Sequence, residues 1–164
     1  MNEDQAWAEM FLVETEDGAR TLSFSRTPTV LLTFAANLFT RQSAAALTKE
    51  FGIGAMDWRM LVMLTRHPGA SVAQSAETIG IDKAAISRSL QRLSKKGLVL
   101  NEAQKSDPRR KHWALTAQGS ALHDQILARV LDRLRHQFEG FSGAEIAELS
   151  RLLGKLHQNL TAKP

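Results

Sequence analysis

The stretch SVAQSAETIGIDKAAISRSLQRLSKKG, residues 71 to 97, constrains this chain most, because local chemistry marks both ends of two consecutive helices within it. Ser71 and Gln74 have the spacing of a capping box, in which hydroxyl and amide satisfy backbone N–H groups that the first turn of a helix leaves free. A helix is therefore predicted from Val72 to Gly80. Asp82 offers a side-chain oxygen to the start of a second helix. Lys95 and Lys96, then Gly97 and apolar Leu98, form its C-terminal stop. Two helices joined by a short Gly-containing turn leave the second on the outside of a small domain.

The second helix has two unlike sides. At 3.6 residues per turn Ile86, Leu90 and Leu93 share a face that would anchor it. Ala84, Arg88, Gln91 and Lys95 lie opposite, with Ser87 and Arg92 on the flanks. From Lys83 to Lys111 there are nine Lys or Arg against two acids, Glu102 and Asp107, in a chain whose net charge is only +4. Positive charge gathered on one element is the footprint of a polyanion-binding surface. An outward helix of this kind fits the DNA major groove. There Arg88 can donate twice to guanine, Gln91 can pair with adenine, and small Ala84 permits close approach or contact with a thymine methyl. Lys83, Arg92, Lys95 and Lys96 read as phosphate neutralisers, which set orientation and salt dependence. Arg88 is the expected specificity residue. A basic helix face is often only a solvated face; here the cap, the Gly turn and an adjacent arginine-rich hairpin occur together.

The remaining elements follow from periodicity and caps. The first 25 or so residues read as an irregular acidic arm with one short helix around Trp7 to Leu12. A helix is predicted from Thr29 to about Glu50, with Leu31, Phe34, Ala35, Leu38 and Phe39 as its stripe. Pro28 stands at its start and Gly52 at its stop. Another runs from about Ala55 to Arg66 and ends at Pro68-Gly69. It is apolar on several sides and is expected to be enclosed by its neighbours. After Gly97, Leu98 to Leu100 and Trp113 to Leu115 are short apolar runs around the turn signal Asp107-Pro108, a two-stranded wing. Thr116 caps a helix with Leu122, Ile126, Val130 and Leu134 on one face. Ser142 and Glu145 form a second capping box, opening a helix with Ile146, Leu149, Leu153, Leu156 and Leu160 in register.

The run from Asp107 to Thr116, DPRRKHWALT, resembles the wing signature of the MarR family of winged-helix transcription regulators: Asp, one residue, Arg, five residues, then Leu-Thr. IDKAAISRSLQRLSKKGLV and Trp58-Arg59 are also similar to the family pattern, and the resemblance covers about residues 29 to 160. It implies a mainly α fold with a small β-wing, a winged helix-turn-helix plus N- and C-terminal dimerisation helices. The expected division is an acidic arm over 1–28, a helical dimerisation region over 29–54 and 117–164, and a DNA-binding domain over 55–116. By resemblance Arg109 enters the minor groove, where narrow A·T tracts concentrate negative potential. Asp107 orients its guanidinium, and Arg110 adds to the basic tip. Without the Leu-Thr spacing, Asp107 and Arg109 would read as an ordinary surface ion pair.

The resemblance further implies a homodimer on a pseudo-palindromic operator of double-stranded DNA, with recognition helices about 34 Å apart. Leu31, Phe34 and Leu38 would join Ile126, Val130 and Leu134 in the interface, together with Ile146, Leu149, Leu153 and Leu156. The alternative is a monomeric bundle that buries its own stripes. Family members commonly bind small aromatic or anionic effectors between dimer helices and winged helix, and Trp58 and Arg59 stand where such a crevice would be lined. Arg59 can pair with a carboxylate, or the Trp-Arg pair is structural. Repression is the default role.

Other classes have less support. There is no Gly-x-Ser-x-Gly elbow, phosphate-cradling loop or His-Glu-x-x-His, so an enzyme is not expected, nor a cofactor. The five histidines include no pair at three or four, and the absence of cysteine removes thiolate ligands. A metal-responsive regulator, with His123 the first candidate, and a winged-helix protein-interaction module without DNA binding remain as alternatives. The acidic N-terminus is unlike a secretory signal, and VLLTFAANLF is too short to span a membrane. A cytoplasmic location is expected.

Overall fold

The computed structural model describes residues 2–104 and 107–162, with 102–104 and 107–111 described by their backbone only. The elements run α1 (Glu3–Glu9), β1 (Leu12–Glu14), β2 (Arg20–Leu22), α2 (Pro28–Phe51), α3 (Ala55–Arg66), α4 (Val72–Ile79), α5 (Lys83–Lys95), β3 (Val99–Gln104), β4 (Asp107–Leu115), α6 (Ala117–Gln137) and α7 (Gly143–Thr161). The expected caps form. Ser71 Oγ accepts from Gln74 N and Asp82 Oδ1 from Ala85 N at 2.8 Å. Gly80, at φ 71°, makes the left-handed turn between α4 and α5 that a side chain would strain. No helix among the described residues is long and apolar enough to cross a membrane.

Two expectations of secondary structure change. The acidic arm is not irregular: β1 and β2 pair antiparallel, and α1 begins earlier than expected because Asn2 and Gln5 form a reciprocal cap. Strands of three residues are too short for alternation to register in the sequence. Ser23 and Thr27 are buried where this arm folds back, Ser23 N donating to the Phe11 carbonyl. The wing strands also extend beyond their apolar ends, pairing Val99 with Leu115 and Asn101 with Trp113, up to a register shift between Ala103 and Gln104. Polar strand residues far from the core carry no hydrophobic pattern to read.

The core centres on α3. Met60, Leu61, Met63 and Leu64 meet Ile86, Leu90 and Leu93 of α5, Leu98, Val99 and Trp113 at the wing base, and Ile126 of α6. Ile126 was expected in a dimer interface. It is instead fully enclosed within its own chain, because that face of α6 lies across α3. Leu127 and Leu131, which the sequence reading did not single out, are the exposed large apolar residues of α6.

An ionic clamp joins α3 to α5. Asp57 is buried; its Oδ1 accepts from Ser89 Oγ at 2.6 Å and from Arg92 Nη2 at 2.7 Å, while Oδ2 accepts from Gly54 N at 3.3 Å. A buried carboxylate is tolerable only when so satisfied. Just beyond the C-terminus of α5, Thr116 Oγ1 donates to the Gly97 carbonyl and accepts from Gly119 N, which draws the first turn of α6 onto the start of the wing. A Cβ on Gly119 would lie 1.9 Å from the Leu98 carbonyl oxygen.

Two substitutions test these joints. Asp57→Ala strands the buried Ser89 hydroxyl and is expected to lower stability by about 1–3 kcal/mol, read from the midpoint of urea unfolding. Gly119→Ala must force two backbone segments apart, at a cost of about 1–3 kcal/mol or more. An unchanged midpoint for either would show that the joint contributes nothing to stability.

Candidate nucleic-acid interface and effector cavity

The geometry of α5 separates its residues by side. Ile86, Ser89, Leu90 and Leu93 are each no more than 1% exposed. Lys83, Ala84, Arg88, Gln91 and Lys95 are exposed, and Ser87 is half-buried at the flank. Lys83, Arg88, Gln91 and Lys95 have no side-chain hydrogen bond or ion pair among the described residues, so their donors are free for a ligand. Each is aimed outward by a rigid helix, not by a loop, which limits the conformational freedom that binding must remove.

Two cations expected on phosphates are engaged within the chain. Arg92 reaches back to Asp57, and Lys96 Nζ donates to the Gly52 carbonyl at the C-terminus of α2. The sequence reading missed both because the acceptors lie 35 and 44 residues away. Asp57 itself had a signal: the one acid of a mainly apolar helix, in its first turn. Half of the Arg92 side chain remains exposed.

The side chains of Asp107, Arg109 and Arg110 lie outside the described residues. The backbone of their strand is paired with β3, and its base is pinned to the α3–α4 turn. Gly69 N donates to the Trp113 carbonyl at 3.1 Å, and His112 Nδ1 stands 2.7 Å from the Gly69 carbonyl oxygen. The wing thus leaves the body from the residue that directly follows α5 and its stop, so both elements share one rigid base.

On another side of α3 lies a cavity of about 200 Å³ between α2, α3 and α6. Trp58 and Arg59 both line it. Its apolar wall includes Phe39, Leu47, Phe51, Ile126 and Val130; its charged rim holds Glu50, Arg129 and Arg133. Trp58 stacks on His123 at a centroid distance of 5.3 Å, and His123 Nδ1 is 2.9 Å from Asp124 Oδ1. His123, the histidine first considered for a metal, is thus engaged by an aromatic ring and a neighbouring acid. Among the described residues no three His, Asp or Glu side chains converge in a way that could hold a metal ion. Sequence reasoning did not find Glu50, Arg129 and Arg133, since the rim forms only when α6 returns beside α2.

The predicted interface residues divide too. Leu31, Phe34 and Leu38 on α2 and Leu149 and Leu153 on α7 are exposed, while Val130, Leu134, Ile146 and Leu156 are partly covered. The 19-residue α7 has no buried residue at all, and the 24-residue α2 has only Leu47.

Residues 51–110 match the MarR family, a span from the end of α2 through the winged helix. A MarR/EmrR family transcriptional regulator from Acinetobacter sp. ADP1 is 29% identical, with a TM-score of 0.78 over 85% of this chain and 98% of that one. CouR from Rhodococcus jostii RHA1, solved with p-coumaroyl-CoA, is 25% identical, with a TM-score of 0.74 over 83% of this chain and 95% of the other. The fold is shared as well with S. aureus MepR, solved as a DNA complex, at 20% identity and a TM-score of 0.72, over 84% and 99% of the two chains. The match to the MarR family thus covers the winged helix, and the fold is held in common with these regulators almost throughout their length.

Proposed function

We propose that this chain is a sequence-specific, double-stranded DNA-binding transcriptional regulator, acting as a homodimer on a pseudo-palindromic operator and released by a small effector. The observation that carries the reading is the outward face of α5: Arg88, Gln91 and Lys95 stand free over an underside that is fully buried. That MepR was solved as a DNA complex supports the same use of this fold. Arg88 and Gln91 read base edges, with Ala84 and Ser87 close to the groove floor. Lys83 and Lys95 neutralise phosphates, and Arg109 with Asp107 and Arg110 forms the wing tip in the minor groove. Arg92 serves first as the tie to Asp57, keeping α5 in register, with its exposed half toward the backbone phosphates.

The dimer reading rests on the apolar surface left uncovered on α2, α6 and α7. Isolated exposed leucines need no explanation, but rows along three helices do. Covering Leu31, Phe34, Leu38, Leu149 and Leu153 requires a partner with matching rows, and a second copy supplies them by two-fold symmetry. In this reading residues 29–54 and 117–164 dimerise, 55–116 bind DNA, and 1–28 extend the helical region. Leu127 and Leu131 join the interface in place of Ile126. The cavity beside Trp58 and Arg59 is the effector site, a use supported by the ligand-bound state of CouR. Binding there shifts the population toward a form that fits the operator less well. Repression in the cytoplasm is the corresponding role, with no enzymatic step.

Duplexes selected from a random pool should show a palindromic motif. Against that motif, Arg88→Ala is expected to lose about 1–3 kcal/mol of discrimination at one base position. Arg109→Ala should weaken binding and reduce the salt slope by about one. Both are measured by fluorescence anisotropy at several salt concentrations, and unchanged binding in the two variants would refute the assignment of contacts. Sedimentation at nanomolar concentration should give a dimer mass, and Leu149→Glu with Leu153→Glu should give a monomer. A monomeric wild-type chain would reject the proposed interface.

A further inference from the structure

The N-terminal module is ordered, yet its largest apolar groups face water. Asn2 and Gln5 cap α1 reciprocally, β1 pairs with β2, and the Ser23 N–H and Thr27 hydroxyl both donate to the Phe11 carbonyl. Arg20 pairs with Glu9, and Arg26 donates to the Leu12 carbonyl. These bonds seat the module on the start of α2. Even so, α1 has no buried residue, and Trp7, Met10, Leu22 and Phe24 are exposed, Trp7 by 66% and Phe24 by 65%. Ordering a segment costs conformational entropy that burial normally offsets. Here the bulkiest side chains are left out of that burial. Phe24 stands edge-on to Phe34 at 5.3 Å, so through it the module joins the α2 row of Leu31, Phe34 and Leu38. Helix α7 is in the same position: none of its residues is buried, and Leu152 and Leu160 are exposed, Leu160 by 76%. The two elements differ in charge. Residues 2–19 contain six acids and no Lys or Arg, whereas residues 149–161 contain Arg151 and Lys155 and no acid. Glu9 is taken by Arg20 and Arg151 by Glu148, but Glu3, Asp4 and Lys155 have no ion pair among the described residues.

Resting on the homodimer reading above, we propose that the N-terminal module is a clasp: Trp7, Met10 and Phe24 lie on residues 152–160 of α7 in a second copy of the chain, with Glu3 and Asp4 toward Lys155 there. Among the described residues no ion pair or ring contact joins the module to α7 of its own chain. At 3.6 residues per turn Leu149, Leu152, Leu153, Leu156 and Leu160 share one side of α7, and Lys155 borders that side next to Leu152. The rows already assigned to the dimer begin at Leu31 and leave Leu152 and Leu160 out; the clasp covers both. A two-fold axis repeats the contact, so each subunit grips α7 of the other. Trp and Phe bring large apolar area with few rotatable bonds, the profile of an interface anchor. The acids act on encounter and orientation, since exposed ion pairs add little affinity and are screened by salt.

The chain has no cysteine, so cross-links report introduced positions alone. Full-length Phe24→Cys and Leu160→Cys chains, both altered at exposed positions, are co-expressed and treated with a short bis-maleimide. The mixture is expected to give a covalent dimer that neither variant gives alone. A cross-link in either variant alone would set that residue against its own counterpart and overturn the clasp. No cross-link from a chain that sediments as a dimer would overturn the clasp and leave the homodimer standing. A monomer mass for the wild type would overturn both. Strength is read from the dimer dissociation constant of Phe24→Ser, Leu160→Ser and the two combined. Each single substitution is expected to raise it about tenfold. The combination should raise it no further than the larger single effect, because residues in contact are not additive. Additive effects would overturn direct contact. If a Phe24 variant loses its native circular dichroism, Trp7→Cys and Trp7→Ser carry the same comparisons.

Discussion

A helix that must face a polyanion has to hide one side completely while keeping its cations in water, and the junction of α3 with α5 meets both demands. Ile86, Leu90 and Leu93 contribute apolar burial of about 2 kcal/mol each, but hydrophobic contact alone does not fix the rotation of a helix about its axis. The Asp57 carboxylate does. It takes Ser89 from the middle of the buried face and Arg92 from its edge, two points one residue short of a turn apart. Rotating α5 by one residue would break both bonds and leave a carboxylate buried without partners. The outward direction of Arg88 and Gln91 therefore depends on an acid on a different helix.

With α3 packed against α2, α5, β4 and α6, little apolar surface within one chain is left to cover the long helices. α2 is apolar around much of its circumference, and α7 has no buried residue along its leucine row. A helix apolar on most sides belongs inside a larger body. The N-terminal module adds to this surface: Phe24 packs edge-on against Phe34 of α2 at 5.3 Å while itself remaining exposed. In the proposed dimer the arm would thus extend the seam.

What the chain discloses before folding is set by range. The caps at Ser71, Asp82, Thr116 and Ser142 involve partners three residues away, and all four were legible. So was the buried triad of α5, since a 3.6-residue period is a local property. The Asp57 clamp, the Lys96 tie and the Glu50 rim join residues 32 to 83 positions apart, where only the tertiary fold brings donor to acceptor. Ile126 shows the intermediate case: its periodicity placed it on an apolar stripe correctly but could not say which of two apolar neighbours the stripe would meet. The short N-terminal strands were illegible for the opposite reason, being too few residues to hold a pattern.

These long-range ties also bear on the geometry of the proposed dimer. In the proposed dimer both recognition helices must enter successive major grooves about 34 Å apart at once. The fit then depends on the separation of two rigid rods rather than on either alone. α5 is held at its C-terminal end by Lys96 on α2 and along its length by Asp57 on α3. The two ties set the tilt of α5 against α2 and α3. In the proposed function an effector shifts the spacing between the two halves only by as much as its affinity differs between the two arrangements.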